Sequence, residues 1–237
     1  MHTQASQELT ELVADSPLFR GCDEEAVNAA LDRARYSRVS RGTYFFHQGE
    51  EALAFYVIVE GKVRLSQLTP EGHQVIIHFM GPGDGMGIIV ALSNTTYPLS
   101  AEAVSDCVAL KWDYESTVGL MESYSRIALN GLRLVADRFH ELQERYRELA
   151  TERVEQRVAR AIMRLTRQVG KRTEHGVLLD LPLSRQDLGE MTGTTLYTVS
   201  RIMSGWEQRG LISTGRERIV ILNPHGLVTI AEDLTSE

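Results

Sequence analysis

The sequence is poor in cysteine: its 237 residues include only Cys22 and Cys107. The two cysteines do not form a CxxC pair, and they are too few for a four-thiolate zinc or iron–sulfur site built from this chain alone. We therefore predict no metal site and no iron–sulfur cluster, and we expect both thiols to be reduced. Cys107 lies in an apolar run, which predicts a buried position.

Long apolar runs are also missing. The uncharged stretch 85–101 is interrupted by polar residues and Pro98, and it does not supply the ~18–20 apolar residues that a membrane-spanning helix needs. The start of the sequence lacks the basic and apolar regions of a secretory signal. We expect a cytoplasmic protein that does not enter a membrane.

The sequence also lacks the residue pattern of a catalytic site, because no nucleophile is spaced to meet a general base and no metal-binding cluster is visible. We therefore predict that the protein is not an enzyme. Hydrophobic residues make up 43% of the chain and charged residues 24%, which is typical of folded proteins. The length fits one large or two small domains.

The charge is divided unevenly along the chain. The net charge is −7, but residues 151–218 carry 12 Lys and Arg against 8 Asp and Glu, a balance of +4. A chance asymmetry of solvated faces is one interpretation. The other is a C-terminal domain that faces a polyanion.

Hydrophobic periodicity predicts an α+β protein. The first ~35 residues show a helical period, with Asp23 as a helix cap, and five strands are then predicted at 44–46, 55–59, 63–68, 75–79 and 104–110. Gly49, Gly61, Gly72 and Gly83 separate strands at intervals of 12, 11 and 11 residues, a spacing typical of an antiparallel sandwich or jelly roll.

A long helix follows, with a narrow apolar stripe on one side. The stripe, called here the seam, steps by three or four residues through Leu132, Val135, Phe139, Leu142, Tyr146 and Leu149. It could pack on the protein's own sheet, but it favours pairing with a second copy in a parallel two-fold homodimer. Thr151 is predicted to cap the next helix, which places a hinge at 149–152 and gives domains 1–112, 113–150 and 151–237.

The segment 183–222 predicts a winged helix-turn-helix. Ser184 and Asp187 resemble a capping box, Gly193 supplies a turn, Thr194 or Thr195 caps a second helix, and two strands surround Gly215. The second helix would enter the major groove of DNA, where the fork of Arg201 matches guanine O6 and N7. The candidate DNA-binding residues are Arg185, Gln186, Thr195, Leu196, Tyr197, Thr198, Ser200, Arg201, Arg216 and Arg218.

These residues resemble a family. The chain is similar over almost its whole length to the bacterial regulators that include the cyclic AMP receptor protein and the fumarate–nitrate reduction regulator. The resemblance rests on Phe46-His-Gln-Gly-Glu50, on Phe55-Tyr-Val-Ile-Val-Glu-Gly61 and above all on 184–201. It implies an N-terminal β-roll sensor, a dimer helix, a phosphate contact by Arg185, a base contact by Arg201, and contact with RNA polymerase. Activation of transcription is the expected role, and repression is the alternative. The family's recognition helix usually has a Glu four residues before that Arg, where this chain has Tyr197.

The sensory pocket departs from the cyclic nucleotide binders of this family. Ile88 stands at the position of their ribose-binding Glu, Tyr97-Pro98 aligns with their phosphate-binding Arg-Ser, and residues 65–125 contain no Arg. A phosphate that moves from water into a protein pocket needs a cation or several backbone amides that point towards it. We therefore predict no cyclic AMP binding and a pocket that is apolar or filled. Its candidate residues are Gly85, Met86, Gly87, Ile88, Ile89, Tyr97, Leu132 and Val135.

The effector itself is left open at this point. Residues 55–76 look similar to the nitric-oxide-responsive branch of the family, so haem is one alternative, alongside an unidentified small effector or no ligand at all. The candidate haem ligands are His2, His47, His73, His78 and His140.

Overall fold

A computed structural model describes residues 2–70, 72, 74–92, 95–215 and 218–234. For residues 2–6 the description covers the backbone only. Its internal contacts divide the chain into two compact units. The first comprises Met1–Leu68 and Met80–Glu141, and the second comprises Thr69–Phe79 and Leu142–Glu237. The boundaries 112/113 and 150/151 remain predictions from the sequence.

The first unit combines short helices with antiparallel strands. Its elements are α1 (His2–Asp15), α2 (Glu24–Arg33), β1 (Arg35–Val39), β2 (Tyr44–Phe46), β3 (Ala54–Glu60), β4 (Val63–Leu68), β6 (Gly85–Met86), a 3-10 turn (Ile88–Ala91), β7 (Ser100–Ala103), β8 (Cys107–Asp113) and α3 (Tyr114–Ser123). Strand β5 (Gln74–Met80) belongs to the second unit up to Phe79, and helix α4 (Ser125–Thr151) has its first part in the first unit.

Two sheets give this unit its β-roll. One has the strand order β1-β8-β3-β6, and in the other β7 lies between β2 and β4. The pairings among these strands are antiparallel, as the sequence predicts. Gly61 makes one hairpin turn possible, since its φ is +91° and a Cβ atom there would lie 2.3 Å from the Asp106 carbonyl oxygen.

One strand prediction is wrong by three residues, since β8 begins at Cys107 rather than at residue 104. The physical reason is the hydrogen bonding of the turn before it. The Ser105 hydroxyl accepts from the Lys62 amide at 2.9 Å, and the Asp106 carboxylate accepts from the Arg41 amide at 2.9 Å. These side chains hold the backbone in a turn. Strands β1, β6 and β7 were not predicted, because they are short or lack an apolar alternation.

Two apolar clusters form the core of the first unit. In one, Trp112 contacts Phe19 and Phe55, with ring centroids 5.4 and 5.8 Å apart, and its indole donates to the Ala30 carbonyl at 2.8 Å. The other fills the space inside the roll with residues that include Phe46, Tyr56, Met86 and Tyr97. Cys107 is buried there, as predicted, and burial raises the pKa of its thiol.

Helix α4 changes character along its length. Ile127 and Asn130 are buried, and the Asn130 amide donates to the carbonyls of Leu18 and Arg20 at 3.0 and 2.9 Å. All six seam residues are then exposed, from 49% at Val135 to 75% at Tyr146. Within the described part of the first unit, Leu132, Val135 and Phe139 therefore do not pack on its sheets.

The second unit carries the C-terminal helices and a small sheet. Its elements are the end of α4, α5 (Val154–Val169), β9 (Gly170–Thr173), β10 (Gly176–Leu179), α6 (Arg185–Thr192), α7 (Leu196–Gln208), β11 (Ile212–Gly215), β12 (Arg218–Ile221) and α8 (Pro224–Ala231). The sheet order is β11-β12-β10-β9.

The predicted cap at Thr151 is wrong. Thr151 is the last residue of α4, and its hydroxyl donates to the Arg147 carbonyl at 2.9 Å. Helix α5 begins after Arg153, whose amide donates to the side-chain oxygen of Gln156 at 3.0 Å. Among the described residues, no helix is long and apolar enough to cross a membrane.

Candidate DNA-binding surface and effector pocket

Helices α6 and α7 form the helix-turn-helix that the sequence predicts. The Ser184 hydroxyl accepts from the Asp187 amide at 3.0 Å, while the Asp187 carboxylate accepts from the Ser184 amide at 2.8 Å, a reciprocal capping box. Gly193 ends α6 in the left-handed conformation, with φ +62°. Of the two predicted caps for α7, Thr195 is the one used.

The crossing of the two helices depends on a small residue and a buried apolar face. A Cβ atom on Gly189 would lie 2.9 Å from the Thr194 carbonyl oxygen, so a larger residue would push α7 away. Leu188, Val199 and Met203 are buried. Trp206 is buried as well, and its indole donates to Glu155 at 2.8 Å, which fixes α7 against α5.

The opposite face of α7 is exposed at its N-terminal end. Tyr197 is 84% exposed and Leu196 40% exposed, and the guanidinium of Arg201 also faces solvent. Within the described chain, the side chain of Arg201 makes no hydrogen bond or ion pair, so its fork is available to a ligand. Ser200 and Thr198 are half-buried, and the Thr195 hydroxyl is occupied by the cap.

The candidate phosphate contacts differ in their surroundings. Arg185 is half-buried at the start of α6, and Gln186 is exposed but donates to Glu190 at 3.1 Å. Arg218 is exposed at the start of β12, whereas Arg216 lies outside the described residues. Strands β11 and β12 form the predicted wing around Gly215.

A carboxylate connects the wing to the end of α7. Glu207 accepts from the Thr214 hydroxyl at 2.6 Å and from its amide at 2.9 Å. The hydroxyl bond is the main cause that holds the pKa of Glu207 below its usual value. These bonds fix the wing relative to the recognition helix α7.

Sequence reasoning missed the residue that supports the turn between the helices. Arg157 on α5 donates to the carbonyls of Thr192 and Glu152 at 3.0 and 2.9 Å. Leu149 of the seam also contacts this turn, since a Cβ atom on Gly193 would lie 3.0 Å from its methyl group. No local motif marks Arg157, because its partners are backbone carbonyls.

Ion pairs hold the end of α4 against α5. Arg164 donates to both oxygens of the buried Glu148 carboxylate at 2.6 and 2.8 Å, and Glu152 pairs with Arg147 and Arg160 at 3.1 and 3.0 Å. The last turns of α4 are therefore fixed to the helix-turn-helix through α5, in line with the grouping of 142–151 with the second unit.

In the first unit, Tyr97 fills the interior of the β-roll. Its ring stacks on Phe46 with centroids 3.7 Å apart and planes at 13°. Its hydroxyl donates to the Ala54 carbonyl at 2.7 Å and accepts from the Ala54 amide at 2.9 Å. The side chain is 3% exposed, and burial raises its pKa.

The neighbouring pocket residues close against Tyr97. A Cβ atom on Gly87 would lie 2.6 Å from the Ala54 carbonyl oxygen and 3.3 Å from the Tyr97 ring. Met86 is buried in the same cluster and Ile89 packs against it, whereas Ile88 packs against the Trp112 cluster. Gly85 lies in β6, opposite Val57. These side chains supply no charge to a phosphate.

The remaining pocket candidates and the nearest cations lie elsewhere. Leu132 and Val135 are exposed on α4 and belong to neither described cluster. Arg64, just before the region without arginine, pairs with Glu102 at 2.6 Å. Lys111 lies 5.8 Å from the Tyr56 ring centroid and lines an open surface cleft of about 450 Å³ that none of the pocket candidates lines.

The described candidate haem ligands have protein neighbours. His47 packs against the Tyr44 ring at 4.2 Å between centroids, and His78 is bonded to Gln168 at 3.1 Å. His140 is exposed on α4 beside Phe139. His73 and the side chain of His2 lie outside the described residues. In the described part of the chain, no cluster of three metal-binding side chains occurs.

Comparison with known proteins agrees with this architecture. Residues 36–124 match the cyclic nucleotide-binding domain, and residues 156–230 match the Crp-like helix-turn-helix domain. A cyclic AMP receptor protein of Thermus thermophilus is 30% identical over 84% of this chain and 89% of its own length. The nitrogen fixation regulation protein FixK of Azorhizobium caulinodans is 30% identical over 77% of this chain and 73% of its own length.

A solved structure extends the likeness to the backbone. The FixK2 protein of Bradyrhizobium japonicum superimposes with a TM-score of 0.73 at 25% identity, over 83% of this chain and 96% of its own. The resemblance that the sequence motifs indicated is thereby confirmed. The chain belongs to the CRP/FNR family of transcription regulators, with a DNA-binding helix-turn-helix domain and a cyclic nucleotide-binding-like domain.

Proposed function

We propose that this protein is a homodimeric, sequence-specific regulator that binds a pseudo-palindromic operator and responds to an effector other than a cyclic nucleotide. The observation that carries the DNA-binding part is the outer face of α7, where Arg201 is exposed and its side chain has no partner among the described residues. Arg201 reads guanine, while Arg185, Gln186, Arg216 and Arg218 contact phosphates.

The seam supports the dimer. Six large apolar side chains exposed on one helix face are costly in water and are covered when two copies pair. A two-fold dimer presents two recognition helices, so the half-sites lie about 34–36 Å apart, one turn of DNA.

Tyr97 supports the choice of effector. The resemblance places it where cyclic nucleotide binders carry their arginine. Its hydroxyl, however, is hydrogen-bonded to Ala54, and its ring stacks on Phe46. A cyclic phosphate placed there would lose water without gaining a cation. The effector is therefore a smaller or less polar molecule than a cyclic nucleotide.

Helix α4 carries the signal. It contributes residues to both units, and its last turns are fixed to the helix-turn-helix by Glu148–Arg164 and by Arg157. An effector that favours one arrangement of the seam shifts the dimer towards it by its differential affinity. DNA-bound protein then acts as an activator through RNA polymerase.

The test is direct measurement of DNA binding. Full-length protein is titrated into a randomised duplex library, and bound sequences are selected and re-measured by gel shift at about 50 and 200 mM salt. We expect enrichment of a two-fold symmetric sequence and weaker binding at the higher salt. The double variant Arg185→Ala/Arg201→Ala is the matched control and should enrich nothing. Wild-type protein that enriches no sequence, with and without candidate effectors, would refute the proposal.

A further inference from the structure

The first turn of the recognition helix presents an apolar surface where most DNA-reading helices present polar groups. Tyr197 has the largest exposed fraction of the exposed large hydrophobic side chains, and Leu196 beside it is also exposed. Neither is among the buried residues of α7, which are Val199, Met203 and Trp206. An exposed apolar pair at a binding surface gains free energy only when a ligand covers it.

The edges of bases in the major groove differ in what they offer to such a surface. Cytosine presents an amino donor, which a carboxylate accepts, whereas thymine presents its C5-methyl group, which favours apolar contact. The phenol ring of Tyr197 cannot accept from cytosine as a carboxylate does. It can cover a methyl group.

We propose, on the basis of the DNA-binding function proposed above, that Tyr197 reads the C5-methyl group of a thymine in each half-site, with Leu196 beside it. Tyr197 stands one helical turn before Arg201, so both side chains lie on one face of α7, about 6 Å apart along its axis. Since successive bases rise by about 3.4 Å, the thymine lies one or two base pairs from the guanine that Arg201 reads.

The experiment removes only the methyl group. Operators selected with the wild-type protein are resynthesised with each thymine replaced in turn by deoxyuridine, and dissociation constants are measured by fluorescence anisotropy. At the thymine that Tyr197 covers, we expect binding to weaken about 4-fold, the equivalent of ~0.8 kcal/mol for one buried methyl group. Substitution in both half-sites should weaken binding roughly 15-fold.

Variants of Tyr197 assign the effect to its ring. Tyr197→Ala should bind more weakly and lose the deoxyuridine effect at that position, while Tyr197→Phe should keep it because the ring remains. Repeating the selection with Tyr197→Glu should replace the thymine by cytosine at that position.

The outcomes separate this inference from the function on which it rests. Selected operators without a thymine near the guanine, or a deoxyuridine effect that persists in Tyr197→Ala, would overturn the assignment to Tyr197 while sequence-specific binding stands. A Tyr197→Phe variant that loses the effect would transfer the role to the hydroxyl and overturn it too. Failure to select any operator would instead refute the proposed function.

Discussion

Two tyrosines in this chain show opposite uses of the same side chain. Tyr97 is 3% exposed, its ring is stacked on Phe46, and its hydroxyl both donates and accepts. Tyr197 is 84% exposed, and within the described chain its side chain has no hydrogen bond or ring contact. The comparison teaches that Tyr97 is satisfied by the protein itself, whereas the recognition helix keeps Tyr197 available to a partner.

The largest expected effect concerns folding. Tyr97→Ala would leave a cavity in the β-roll and should lower its free energy of unfolding by about 3–5 kcal/mol. Tyr197→Ala removes no packed group and should change stability by no more than about 0.5 kcal/mol. Urea denaturation followed by tryptophan fluorescence measures both, because Trp112 lies in the first unit and Trp206 in the second.

Tyr97→Phe isolates the hydroxyl. It keeps the stack on Phe46 but leaves the buried amide and carbonyl of Ala54 without the hydroxyl that bonds both, which should cost about 1–3 kcal/mol. If Tyr97→Ala and Tyr197→Ala prove equally harmless to folding, the contrast between a satisfied and an available tyrosine is broken.

The seam is a second exposed surface, and a substitution there should likewise leave the folding of the protein unchanged. Phe139→Glu places a charge on the exposed seam, which a dimer would have to bury without a partner, so we expect monomers and an operator affinity at least 100-fold weaker. Sedimentation velocity and anisotropy measure the two effects. His140→Glu introduces the same side chain at the next exposed position, off the seam, and should remain dimeric. A dimeric Phe139→Glu variant would show that the seam does not form the interface.

The β-roll pocket around Tyr97 should also fail to bind cyclic nucleotides. Each charge-assisted contact that the phosphate lacks is worth about 1.5–3 kcal/mol, so cyclic AMP or cyclic GMP should bind two or more orders of magnitude more weakly than to a member with the Glu and Arg. Calorimetry at about 100 μM nucleotide should give no heat of binding, and operator affinity should not change. A micromolar dissociation constant would contradict this and would mean that backbone amides of the Gly85–Gly87 turn hold the phosphate unaided.

On the DNA-binding surface, Arg201 and Arg185 should have different roles. Arg201 should recognise the base sequence, and Arg185 should contact the phosphate backbone. Arg201→Ala should cost ~1–3 kcal/mol on the selected operator and relax the preference at one base pair. Arg185→Ala should weaken all sequences alike and reduce the slope of log affinity against log salt by about one. Anisotropy titrations on operator and random duplexes at several salt concentrations provide the measurement. Equal losses of both variants on both duplexes would refute the division of roles.

Much of the C-terminal half was predictable because its signals are local. The Ser184–Asp187 box and the positive φ of Gly193 each act within a few residues and are in place in the structure, as are the two paired strands β11 and β12 of the wing. The Thr151 cap failed because a threonine hydroxyl can bond back to the preceding turn of its own helix as well as cap the next one.

What the sequence could not predict depends on distant partners. The start of β8 is fixed by Lys62 and Arg41, more than 40 residues from the side chains that bond them. The role of Arg157 depends on the carbonyl of Thr192, which lies 35 residues away in the chain. The sequence predicted that Tyr97 places no charge in the pocket. Its stacking on Phe46 could not be predicted, because the fold brings the two residues together.

The smallest expected effect concerns Asp84, a partly buried carboxylate of the first unit whose charged form is disfavoured by burial. The carboxylate of Asp84 accepts from the Gly81 amide at 2.8 Å, yet burial is the dominant influence and raises its pKa. The folded protein therefore holds this proton to a higher pH than the unfolded chain does, so stability falls as pH rises from about 4 through the raised pKa and then levels off. Asp84→Asn keeps an acceptor for Gly81 and removes the ionisation. At pH 7 it should leave stability equal or raise it by no more than about 1 kcal/mol, with no gain at pH 4. Urea denaturation of both proteins between pH 4 and 7 measures the difference, and a difference that does not change with pH would show that Asp84 is as well satisfied as Tyr97.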